Sequence, residues 1–185
     1  MKRALCVIDV QNDYFQGRHA ITHPADSFAR ILEAIDAANA AGIPVVLVQH
    51  TAPEGSTGEF RKGTPGWEIA PDVLGRPHDI VIEKRLPGSF TGTHLEKWLR
   101  GRGIDTVTIA GYMTQMCCDT TSRQALHMGF RVEFLSDATG THDFSNSAGA
   151  VTAEELHRAA LVTQASRFAE VMTVHEWIDR ISAGR

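Results

Sequence analysis

The chain has 185 residues, 43% hydrophobic and 22% charged, with a formal net charge of -4, a balance that fits one domain (1–185) with a real core. Weak acidity gives no reason to expect nucleic acid or an anionic membrane as a partner. The apolar run after Met1-Lys2-Arg3 is too short for a signal peptide, no stretch could span a bilayer, and three cysteines lack disulfide-framework spacing, so a cytoplasmic protein with reduced thiols is expected.

In chain order, apolar strand-like runs fall at 4–10, 43–49, 79–83, 105–111 and 131–136, with a weaker one at 168–173. They are continuous rather than alternating, as strands buried on both faces of a parallel sheet should be. The first helical stripe comprises Phe28, Ile31, Leu32, Ile35 and Ala38, stopped by Gly42 and Pro44. Three later helices open with Thr-x-x-Glu, the capping-box spacing: Thr93 with Glu96, Thr152 with Glu155 and Thr173 with Glu176. The first of these has Leu95, Trp98 and Leu99 as its apolar face and Gly103 as its end. Strands and helices alternate from end to end, so the expected fold is α/β: a single three-layer α/β/α domain with a mainly parallel, about six-stranded, Rossmann-like sheet. Two connections, 50–78 and 137–151, are long enough to be binding loops. Both leave carboxyl ends of strands; lid and subunit contact stay open as readings.

Three chemically capable residues stand at comparable places, where open α/β sheets form their ligand crevice. Asp9 breaks the first apolar run, where an unpaired carboxylate would be costly. Lys84 follows the third run. Cys117 lies in Gly111-Tyr112-Met113-Thr114-Gln115-Met116-Cys117-Cys118, where a strand feeds a thiol into a helix start whose dipoles favour its anion. Free cysteines are more often inert core. That reading is kept for Cys6, inside the first strand, and for Cys118, which shares a small-residue stripe with Thr121, Ser122, Ala125 and Gly129.

These segments resemble the isochorismatase-like cysteine hydrolases: Val7-Ile8-Asp9-Val10-Gln11-Asn12-Asp13, Val81-Ile82-Glu83-Lys84, the Gly-x-x-Thr-x-x-Cys run ending at Cys117, Gly63-Thr64-Pro65-Gly66-Trp67 and Ser89-Phe90-Thr91-Gly92-Thr93. The resemblance covers nearly the whole chain. It implies an Asp9–Lys84–Cys117 triad, a cis Tyr112–Met113 bond and an oxyanion hole from the backbone N–H groups of Met113 and Cys117. It also implies amide or carbamoyl C–N hydrolysis through a thioester, and a homo-oligomer, dimer or tetramer. Phe15, Gln49, His50, Trp67, Phe90, Tyr112 and Met116 stand beside the motifs as pocket candidates for a small-molecule amide; for Trp67 and Phe90 a core role is equally open. No cofactor is expected, and no metal: the nicotinamidase branch carries Asp-x-His after its second strand, where this chain has His50-Thr51-Ala52. Rival readings are a vinyl-ether hydrolase of the same family, disfavoured by the cysteine, a Cys–His enzyme lacking any local signature, and a non-catalytic binding module.

Overall fold

The computed structural model describes residues 1–183. Its centre is a six-stranded sheet of β1 (Arg3–Ile8), β2 (Val45–His50), β3 (Ile80–Lys84), β4 (Thr106–Tyr112), β5 (Arg131–Gly140) and β8 (Glu170–Met172), with β6 (Phe144–Asn146) and β7 (Gly149–Val151) forming a separate hairpin. The strand order is β3-β2-β1-β4-β5-β8, every neighbouring pair is parallel, and the chain order reverses direction across β1 and β4. In open parallel sheets that reversal opens the ligand crevice at the carboxyl ends.

Two apolar layers flank the sheet, and strand pleating divides β1 between them. Leu5 and Val7 pack toward α1 (Ser27–Ala40) and α6 (Val174–Ala183), with Ile31, Ile35 and Trp177. Ala4, Cys6 and Ile8 pack toward α3 (Leu95–Gly101) and α4 (Asp119–His127), with Leu95, Leu99 and Ala125. The short α2 (Pro71–Leu74) and α5 (Ala153–Thr163) complete the α-helices of the described residues. None is long and apolar enough to cross a membrane.

The structure corrects several local expectations. Thr152 and Glu155 make the capping box at α5, and Thr173 and Glu176 bond reciprocally before α6. Thr93 and Glu96 do not. Thr93 Oγ1 donates to the Ser89 carbonyl and Glu96 pairs with Arg100, because α3 starts two residues after Thr93. The segment after Ser136 is not an irregular loop: β5 continues to Gly140, and most of the remainder is the β6–β7 hairpin. Gly129 is exposed, so the small-residue stripe on α4 ends at Ala125. β1 stops at Ile8 rather than running to Val10, since Asp9 has a φ of 53, a left-handed conformation outside the extended range.

Gly111 shows how tightly β4 and β1 approach here. Its φ is 113, and a Cβ on it would stand 2.1 Å from the Ile8 carbonyl oxygen. Gly111→Ala should therefore cost about 3 kcal/mol or more in a urea unfolding measurement, through strain and displaced strands. A change within about 0.5 kcal/mol would mean that the strands can part freely there.

Candidate active site

Three strand ends meet on this edge of the sheet. Asp9 is the first residue past β1, its N–H bonded to the Val48 carbonyl. Lys84 is the last residue of β3, paired in register with His50 of β2. The chain leaves β4 through a cis Tyr112–Met113 bond into a π-helical turn, Thr114–Cys118, that carries Cys117 and runs directly into α4. Lys84 reaches over β2 toward β1. Its Nζ lies 2.6 Å from Asp9 Oδ2, 3.3 Å from Cys117 Sγ and 3.5 Å from His50 Nδ1.

This is a sealed group: Asp9 and Lys84 are fully buried as side chains, and Cys117 is 8% exposed. No well-directed hydrogen bond reaches either Asp9 oxygen among the described residues, so the Lys84 ammonium is what compensates the carboxylate. The other deeply buried acid, Glu133, differs in this respect. It takes bonds from Arg3, Thr108 and Trp177 and is satisfied as a piece of structure. A buried carboxylate held by one shared cation retains acceptor capacity, which is what proton transfer needs.

The electrostatics follow from burial. Removal from water pushes the Cys117 thiol above its ordinary value and the Asp9 charge adds to that, while Lys84 pulls it down. Burial is the largest influence on this thiol and works against the thiolate expected at the helix start, while Lys84 works for it. Burial works against the Lys84 ammonium, but Asp9 and then Cys117 outweigh it and raise its pKa. Burial, then Lys84, lowers His50, so that ring is neutral. Cys6, pushed up to about 12 by burial, and Cys118, fully buried and raised likewise, are core thiols.

The pocket candidates divide. His50 touches Lys84 and packs edge-on against Phe60. Met116, next to Cys117 in the chain, and Phe15 are exposed, Phe15 resting on Phe28 and Tyr112. Trp67 is half-buried, its Nε1 donating to Thr51 Oγ1. Gln49 is buried and spends its amide on the Trp67 carbonyl. Two are packed into the core. Phe90 is core, stacked on Phe130, and Tyr112 is buried with its hydroxyl on Ser27, because the strand pleat turns that ring away from the cysteine layer.

Several residues at the site escaped the sequence reading. Gln11 accepts from His50 N–H and donates to the carbonyls of His50 and Trp67. Asp13 accepts from Phe60 N–H. Together with Asn12 on the Pro65 carbonyl, they pin the 50–78 connection to the turn after β1. Tyr14 is buried beside the same group, its pKa raised by burial and then by Cys117 and Asp9. Gln11 was findable: a polar residue two places after Asp9 in an apolar run needs partners. Behind the cysteine turn, Thr114 Oγ1 bonds His157 Nδ1 at 2.8 Å. Among the described residues no three His, Cys, Asp or Glu side chains converge as metal ligands would.

A family model described as the isochorismatase domain matches residues 3–176. Nicotinamidase 3 of Arabidopsis thaliana is 33% identical, over 90% of this chain and 82% of that one. Among solved structures, a protein described as a candidate isochorismatase from Burkholderia xenovorans LB400 superposes with a TM-score of 0.95 at 50% identity, covering 99% of this chain and 88% of that one. A cysteine hydrolase from Pseudomonas syringae pv. phaseolicola 1448A superposes with a TM-score of 0.84 at 28% identity, covering 100% and 94%.

Proposed function

The chain belongs to the isochorismatase family of hydrolases, and on that premise we propose that it cleaves the C–N bond of a small amide or carbamoyl compound by a metal-independent cysteine mechanism. The observation that carries this reading is the Lys84 ammonium held 2.6 Å from Asp9 and 3.3 Å from Cys117. A base, a cation and a nucleophile are buried together.

Burial raises the Cys117 thiol pKa, and a base beside it assists the attack. Asp9 takes the Cys117 proton while Sγ forms a bond to the amide carbon, and the carbonyl π electrons move onto oxygen. The backbone N–H groups of Met113 and Cys117 are the donors assigned to that oxyanion. Collapse reforms the carbonyl and breaks C–N, and Asp9 returns its proton to the departing nitrogen. Water then attacks the thioester with Asp9 again accepting a proton. The acid is released, and the sulfur recovers the proton. Lys84 holds Asp9 in place and limits the rise of the thiol pKa.

The test is an ammonia-release screen over small amides and carbamoyl compounds, with Cys117→Ala as blank. Release above that blank is expected, and silence across the panel would count against the reading. Turnover should also survive exhaustive chelation. The position after β2 that carries Asp-x-His in the nicotinamidase branch is His50-Thr51-Ala52 here, and Thr51 is occupied by Trp67. Loss of activity on chelation, restored by one metal, would refute metal independence.

A further inference from the structure

The turn that carries Cys117 has few side-chain ties. At its far end Cys117 meets Lys84 and Asp9. Away from that reacting group, one side-chain hydrogen bond reaches Thr114–Cys118 among the described residues: Thr114 Oγ1 with His157 Nδ1, 2.8 Å. Gln115, in the same turn, has its amide buried without a partner and adds no tie. Within the turn the Met113 carbonyl accepts the N–H groups of Met116 and Cys118. Apart from packing, the turn is therefore placed by β4 before it, α4 after it and the His157 bond beside it.

His157 is itself firmly held. It lies one turn into α5, whose start is fixed by the Thr152–Glu155 capping box and by Asp143 Oδ1, which accepts the Ala153 N–H. The residue is 5% exposed, and its ring stands edge-on to His23 at 5.3 Å. Burial, then His23, lower its pKa to about 4, against a bond to the Ser136 backbone, so the ring is neutral near pH 7. Thr114 is fully buried. A core position needs only an apolar side chain; a buried polar pair instead fixes an orientation, and a neutral one does so without adding charge to the site.

We infer that His157 is a positioning residue: through Thr114 it sets where the Met113 and Cys117 N–H groups stand relative to Asp9 and Lys84. The inference rests on the hydrolase reading above, in which those N–H groups receive the oxyanion. Asp9 and Lys84 are carried by β1 and β3, and the sheet fixes them. The donors belong to the turn, so the two halves of the site have separate supports. Thr114 follows Met113 directly and precedes Cys117 by three residues, so a shift at Thr114 moves both donors together. A misplacement of about 1 Å can cost on the order of 10²-fold in rate.

Acylation by p-nitrophenyl acetate provides the test without the natural amide. Sγ bonds the acetyl carbon, the bond from that carbon to the aryl oxygen breaks, the thiol proton passes to Asp9, and p-nitrophenolate leaves. Its release, with Cys117→Ala as blank, reports a step that passes through an oxyanion. Alkylation of Cys117 by iodoacetamide, a displacement with no oxyanion, is run beside it. His157→Leu fills the space without the bond, and His157→Asn keeps a polar group near the Nδ1 position. In His157→Leu and in Thr114→Val, release should fall about tenfold or more while alkylation stays within about twofold of native. His157→Asn should recover most of the release, and His157→Leu/Thr114→Val should be no slower than the slower single variant. Native release in His157→Leu, equal losses in the Leu and Asn variants, additive losses in the double variant, or a parallel fall in alkylation would each overturn the positioning role and leave the hydrolase reading intact. If the native protein shows no release above the Cys117→Ala blank, the hydrolase reading fails and the positioning role falls with it.

Discussion

Cys117→Ala should lower turnover of an amide substrate by at least about four orders of magnitude, because nucleophile deletions remove the covalent route altogether. Of three buried thiols, only this one has the Lys84 ammonium within 3.3 Å and a small remaining exposure. Iodoacetamide should modify Cys117 first, and inactivation should follow its loss one to one. Cys6, inside β1, and Cys118, on the sheet side of the turn, should react only as the protein unfolds. Faster modification of either one, with loss of activity, would move the nucleophile elsewhere. Cys118→Ala should keep most turnover, which separates damage to packing from damage to chemistry.

Asp9 and Lys84 should behave as one unit with two different failures. Asp9→Asn keeps the shape but cannot carry a proton, and kcat should fall by about 10²–10⁴. Lys84→Ala strands a buried carboxylate, and breaking such a pair typically costs ~3–5 kcal/mol, measurable in urea. The pH response gives the sign. Lys84 pulls the Cys117 thiol pKa down against burial and Asp9, so removing it raises that pKa further. The rate of iodoacetamide alkylation against pH should then rise only at higher pH than in the native protein. A Lys84→Ala variant with native stability and an unmoved alkylation curve would separate the cation from the thiol. Near-native rates in Asp9→Asn, with a dead histidine variant, would favour a Cys–His mechanism instead.

The sheet was legible because its signal is cooperative. Six apolar runs separated by helical stretches admit few arrangements once crossovers are right-handed and parallel. Asp9, Lys84 and Cys117 were legible for the same reason: each lies at or just beyond the carboxyl end of an apolar strand, and the topology carries all three ends to one edge. What stayed hidden depends on contacts between distant segments. The π-helical turn at Thr114–Cys118 leaves no distinct periodicity over five residues. Thr93 has the right neighbour for a capping box but meets the Ser89 carbonyl instead. The length of β5 was masked because Ser136, Asp137, Thr139 and Gly140 read as turn residues, yet that stretch pairs with β4 at Gly111 and Tyr112. The upward push on the Cys117 thiol pKa likewise comes first from burial, which a linear reading of helix starts does not register.

The order of strands carries one more consequence. β3 is one of the two edge strands of the sheet, bonded only to β2, yet it supplies the cation that lies against both the carboxylate and the thiol. Outer strands open more readily than central ones, in local excursions that leave the remaining structure standing. An excursion of β3 would withdraw Lys84 from Asp9 and Cys117 while β1, β4 and the helices over them stay folded. On the proposed mechanism, activity is thus tied to an edge strand, and amide exchange along Ile80–Lys84 becomes a gauge of how much of the population is competent at any moment.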